Sequence, residues 1–309
     1  MEEEKLEGLL TKGRPADDQG KRGEEAAGGV REEIKRLASI ATPMIAVMLS
    51  LYFLQIVSVM MVGHLGELAL SSTATAVSFG AVTGLSPVAY GARQYHKFSV
   101  QIFTGIFSLI LVCFPISLLW LFMGRLLVLL GQDPEISHEA GKFIVCLIPA
   151  LFAYAALQPI IRYFQTQSLV MPMLVSSCLT IIFHVILCWV MVFKSRWGTV
   201  GGALAIGLSY WLNVILLGLY MKYSSSCGKT RISVSPTDIF QTMGEFFIFA
   251  IPSAVMVCLE WWSFELLTML SGLLPNPKLE TSVLSVCLAT ISTLYNIPDS
   301  IGAATRFAP

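Results

Sequence analysis

Eight predominantly apolar runs organise this chain, at roughly 39–62, 68–87, 99–123, 142–162, 170–193, 199–222, 244–271 and 280–304. Each approaches or exceeds the ~20 residues that an α-helix needs to cross a bilayer. Lipid offers no water to the peptide groups, so a spanning segment must be a helix or part of a closed barrel. Barrel strands are about 9–11 residues long, and these runs are far longer. The predicted fold is therefore an all-α polytopic membrane protein with about eight transmembrane helices. Only 13% of the 309 residues are charged, about half the share in a soluble domain. That leaves material for loops and tails but not for a sizeable soluble domain. The formal net charge is zero, which excludes the basic field that a nucleic-acid partner needs.

The N-terminus differs from the rest. Residues 1–29 are rich in Glu, Lys, Asp and Gly without an apolar run, and predict a disordered cytosolic tail. They lack the basic start and apolar stretch of a signal peptide. In residues 30–38, Val30, Ile34 and Leu37 fall at helical spacing among Arg31, Glu32, Glu33, Lys35 and Arg36. That pattern suits an interfacial helix or a solvated linker. With the N-terminus in the cytosol, the tail's basic residues and Arg93, Lys97, Arg162, Lys222, Lys229, Arg231 and Arg306 fall inside. Only Arg125, Lys142, Lys194, Arg196 and Lys278 fall outside, so the bias in Lys and Arg favours cytosolic ends.

The first run opens with Ala41-Thr42-Pro43 and closes at Gly63, with Glu67 following. The seventh opens with Ala250-Ile251-Pro252 and closes at Gly272, with Glu280 following. The proline-to-glycine spacing is the same, and both runs cross in the same direction, as in a parallel repeat. A six-helix unit then predicts an N-terminal lobe over 39–222, a cytosolic linker over 223–243 and an incomplete second lobe, its first two helices, over 244–309.

A charge at mid-bilayer costs at least ~2.5–3.5 kcal/mol, so intramembrane acids are candidates for function. Glu260 and Glu265 lie in the seventh run, CLEWWSFELL over 258–267. They are separated by ~7.5 Å along a helix and about 140° around it, so they do not share a face. Glu260 is expected to face the bundle interior and Glu265 a neighbouring helix. Burial raises a carboxyl pKa toward neutrality, which suits a group that gains and loses a proton. The competing reading is that both are protonated structural hydrogen-bonders, and it weighs more for Glu265 than for Glu260. Trp261 and Trp262 could offer aromatic faces to a flat or cationic ligand. Gln55 and Asn213 are candidate cavity-lining groups, although such residues commonly bridge helices. His184 reads as a satisfied packing histidine. The seven cysteines show no metal spacing, and no HExxH, GxSxG or Walker loop occurs. No catalytic residue and no metal site are expected.

Several long motifs carry a resemblance: MMVGHLGELALSSTA (60–74), LGQDPEISHEAGKF (130–143), LQPIIRYFQTQS (157–168), GGALAIGLSYWLN (201–213), CLEWWSFEL (258–266) and PNPKLETSVLSVCL (275–288). Over residues 31–300 the chain resembles the plant branch of the multidrug and toxic compound extrusion family. The resemblance implies twelve helices in two six-helix lobes around a cleft. It implies export of organic cations, xenobiotics or secondary metabolites in exchange for protons, with no cofactor. The lack of a signal-peptide pattern and the cytosolic ends suit a vacuolar or plasma membrane. The family's two acids on its seventh helix match Glu260 and Glu265. Two departures stand out. The family's Cys-Gly-Gln-Ala-Tyr-Gly run after the second helix is replaced by Ser86-Pro87-Val88-Ala89-Tyr90-Gly91. The sequence also ends after the eighth run, in Ala304-Thr-Arg-Phe-Ala-Pro309. The expected function is a proton-coupled antiporter of cationic or aromatic small molecules. The alternative is a truncated, non-transporting form that associates with a full-length transporter.

Overall fold

The computed structural model describes residues 16–84, 95–167, 169–225, 227 and 236–307. In chain order it forms α1 (Ala16–Gly63), α2 (Glu67–Gly84), α3 (Tyr95–Leu121), a short α4 (Met123–Leu129), α5 (Pro134–Thr166) and α6 (Val170–Trp189). A π-helical turn (Val190–Lys194) extends α6, and α7 (Gly198–Tyr223), α8 (Pro236–Ser271) and α9 (Pro277–Phe307) follow. No strand occurs among the described residues. The chain is an all-helical, multi-pass membrane protein. Six helices, in α1, α3, α5, α6 with its π turn, α7 and α9, are long and apolar enough over their described residues to cross a membrane. Each of the eight apolar runs falls on a helix, with α2 and α8 outside those six.

The N-terminal boundaries differ from expectation. Residues 16–29, expected to be disordered, are helical, and residues 30–38 are continuous with the first span. Once the apolar helix is nucleated, each added residue costs little, so the Ala- and Glu-containing stretch propagates it. Leu37 packs with Ala41, Met44 and Val170, which joins this segment to α6. Residues 1–15 and the substituted run Ser86–Gly91 lie outside the described residues.

The fourth run also starts earlier than its hydropathy suggests. Gly131 turns the chain at φ +84, a backbone conformation that glycine adopts freely. The Asp133 carboxylate then accepts the backbone N–H groups of Glu135 (2.9 Å) and Ile136 (3.2 Å). Pro134 occupies the first helical position, where its missing N–H costs nothing. The QDPE sequence is thus a helix start, and α5 begins eight residues before Lys142.

Helix α5 is the centre of the fold and packs against α2, α3, α4 and α7. Phe143, Ile144, Leu157 and Phe164 on α5 join Met123, Leu127, Ile206 and Leu217 in one core. The spans of α5 and α7 are 56% buried and that of α9 is 11% buried, so the six-helix unit has an interior whereas α9 covers its flank. Helix α9 lies against α1 and α2, and α8 against α2 and α3.

Glycines allow two close contacts of α7 in the bundle. A Cβ on Gly201 would lie 2.5 Å from the Met191 carbonyl oxygen in the π turn, and one on Gly202 would lie 2.6 Å from Val62 Cγ2. The Gly201-Gly202 pair therefore serves close helix packing.

The α1–α2, α4–α5, π–α7 and α8–α9 turns gather at one end. A Cβ on Gly198 would lie 3.4 Å from Leu65. Lys278 Nζ is 2.6 Å from Glu135 Oε2 and within electrostatic reach of Glu67. The spans therefore alternate in direction through the bundle.

Candidate functional site

Among the described residues, three clusters of polar groups join different helices in the apolar region. The first joins α1, α6 and α7. His184 is fully buried, with Nδ1 2.8 Å from Ser209 Oγ and Nε2 3.0 Å from Ser58 Oγ. Ser209 donates its own proton to the Ala205 carbonyl at 2.8 Å. It must then accept from Nδ1–H, which leaves Nε2 to accept from Ser58. The ring is satisfied on both sides, in agreement with the packing role read from the sequence.

The second cluster contains two of the candidate residues. Gln55 Nε2 donates to Tyr210 Oη at 3.1 Å, and the Tyr210 ring stands 5.7 Å from that of Tyr154. Asn213 is fully buried, and its Oδ1 accepts from Ser176 Oγ at 3.0 Å. Among the described residues its amide nitrogen has no hydrogen-bond partner. Asn213 thus sits enclosed as a bridge between α6 and α7, whereas Gln55 is only half-buried and bridges α1 to α7.

The third cluster lies between α1 and α9, beside α8. Tyr52 Oη donates to the Ala289 carbonyl at 3.2 Å. Ser292 hydrogen-bonds the Tyr52 hydroxyl, and the Glu265 charge acts on the same phenol. Glu265 is half-buried. Glu260 lies one and a half turns earlier on α8. The side chains of Glu260 and Trp261 lie outside the described residues, as does the expected orientation of Glu260. Sequence reasoning missed Tyr52 and Ser292, because nothing local marks a Tyr or Ser in an apolar run as a neighbour of Glu265.

At the gathered turns, Gln132 is almost fully buried and its Nε2 donates to the Met269 carbonyl. A Cβ on Gly272 would overlap the Gln132 side chain. Ser271 Oγ donates to Thr281 Oγ1 at 3.2 Å. With Lys278 and Glu135, these contacts fasten the α8–α9 turn onto the start of α5. Among the described residues no three His, Cys, Asp or Glu side chains are grouped as metal ligands.

This architecture has close counterparts. A family model described as MatE matches residues 43–190. The chain is 58% identical to Protein DETOXIFICATION 14 of Arabidopsis thaliana over 295 residues, covering 91% of this chain and 61% of that protein. The chain belongs to the MatE family. Protein DETOXIFICATION 12 of Arabidopsis thaliana is 56% identical over 290 residues, covering 90% of this chain and 60% of that protein. The crystal structure of the eukaryotic MATE transporter AtDTX14 superposes with a TM-score of 0.81 at 58% identity, over 89% of this chain and 64% of that one. An outward-facing multidrug resistance MATE family transporter has a TM-score of 0.58 at 14% identity, over 87% of this chain and 62% of that one. That likeness concerns the fold alone. The chain spans about three-fifths of the length of the curated MatE relatives it matches. MatE proteins are transporters and not enzymes, in line with the lack of a catalytic constellation in the sequence.

Proposed function

We propose that this MatE chain acts in secondary active transport, exporting cationic or aromatic small molecules in exchange for protons across a vacuolar or plasma membrane. The observation that supports the reading is Glu265, a half-buried carboxyl on α8. A carboxyl between the six-helix unit and the next helix pair is well situated to couple its proton to their relative movement. Glu260 on the same helix is the second proposed coupling acid. Trp261 and Gln55 are proposed to contact substrate. Asn213, being enclosed, supports the α6–α7 contact instead. The alternative of a truncated, non-transporting form finds no support in the fold or in the similarities.

The test is uptake of a fluorescent organic cation into inverted vesicles carrying the chain. Uptake is expected to need an inward-acid pH gradient and to collapse with a protonophore. Glu260→Gln and Glu265→Gln should each reduce it at least tenfold with expression unchanged. Full uptake in both variants would remove these acids from the mechanism. Uptake driven by a sodium gradient alone would replace the proton as coupling ion.

A further inference from the structure

A second binding site emerges at the end of the bundle where α3, α4 and α5 join. Helix α4 crosses α5 with almost no separation. A Cβ on Gly141 would lie 3.1 Å from Gly124 Cα, and one on Gly124 would lie 3.2 Å from the Ser137 carbonyl oxygen. This crossing leaves an open furrow of about 790 Å³ beside it. Leu121, Val128 and Leu129 form one wall, and Val145 and Cys146 lie on the α5 side. Leu129 is 82% exposed and Leu121 54%. At the end of a transmembrane bundle, side chains this apolar and this open meet acyl chains.

The furrow's polar groups sit together at its rim: Arg125, His138 and Lys142. Lys142 is already matched, with Nζ 2.8 Å from Glu139 Oε1. His138 Nδ1 is 3.8 Å from the same oxygen. Arg125 is exposed and has no acidic partner among the described residues. The rim therefore carries one uncompensated, permanent cation above an apolar trough. Guanidinium binds phosphate oxygens through paired N–H groups.

We propose that this furrow is a binding site for an anionic phospholipid. The phosphodiester pairs with Arg125, Lys142 adds a second donor, and an acyl chain lies along the Val128–Leu129 wall. A lipid with one net negative charge matches the single surplus cation, whereas phosphatidylcholine already balances its phosphate internally. The site is independent of the proposed transport reading, because it lies on the outer flank of the six-helix unit, away from Glu260 and Glu265.

The experiment is native mass spectrometry of the delipidated chain in detergent. It is titrated with phosphatidylglycerol, with phosphatidylcholine of the same acyl chains, and with inorganic phosphate. Phosphatidylglycerol should be retained at least fivefold over phosphatidylcholine. Arg125→Ala should abolish that preference, and Arg125→Lys should keep part of it. Val128→Trp should lower binding of both lipids by narrowing the trough. Val128 is 49% exposed, so the larger ring is accommodated without entering the core. Unchanged melting temperatures establish that the variants are folded. Equal retention of the two lipids, or an unaltered preference in Arg125→Ala, overturns the proposal. So does displacement of phosphatidylglycerol by millimolar phosphate, which would make the rim a free-anion site.

Discussion

Lys278 on the first turn of α9 and Glu135 on the first turn of α5 meet at 2.6 Å, across 143 positions of sequence. The pair is exposed, so its own contribution to stability is small and falls with salt. Its value is as a ruler. With cysteines at both positions, a short bis-thiosulfonate reagent should bridge Glu135→Cys and Lys278→Cys within minutes in membranes. Lys278→Ala should leave the melting temperature nearly unchanged. A pair that resists bridging would mean that the α8–α9 turn does not rest on α5 in the membrane.

Gly272 and Gln132 should be energetically coupled. Gly272→Ala forces the Gln132 amide away from the Met269 carbonyl, which costs about 1 kcal/mol for the hydrogen bond. In a Gln132→Ala background the obstacle is gone, and the same change should cost far less. A double-mutant cycle on thermal stability reads the difference. Strict additivity would contradict the contact.

Two glycines on α7 should respond in opposite directions. Gly201→Ala drives a methyl group into the backbone of the π turn and should destabilise by about 1–3 kcal/mol. Gly218 has nothing within 4 Å of its would-be Cβ. Gly218→Ala should be neutral or stabilising by up to ~1 kcal/mol, through helix propensity alone. Chemical denaturation in mixed micelles compares them.

His184→Ala removes the shared partner of Ser58 and Ser209 and opens a cavity among α1, α6 and α7. A loss of about 2–4 kcal/mol is expected. Most of it should remain in His184→Leu, which fills volume but leaves both hydroxyls without the ring. Full recovery in His184→Leu would show that the cluster matters only as packing.

Much of the fold was legible because lipid permits so few backbone arrangements. Eight apolar runs became helices, and the LGQDPE sequence already held the start of α5 in its Gly, Asp and Pro. That start was missed because Glu139 and Lys142 depress the hydropathy of the helix's first turns. The early start of α1 was missed for a related reason: charged residues that do not nucleate a helix extend one that already exists. The site was only half legible. The rarity of an intramembrane carboxylate marks Glu265 from sequence alone. The Tyr52 bond to the Ala289 carbonyl could not be foreseen, since α1 and α9 are brought together only by the bundle. The same holds for Ser58 and Ser209, whose common partner is His184.

The π turn at Val190–Lys194 holds one more residue than a regular turn would, and its bulged backbone is the surface on which Gly201 rests. Chain length and spatial register are therefore decoupled at that point. Deleting one residue there would shorten the sequence while leaving both flanking spans anchored where they are. It would also withdraw the ledge beneath α7. The bundle thus keeps slack at this point, and a neighbouring helix is fitted to the shape of that slack.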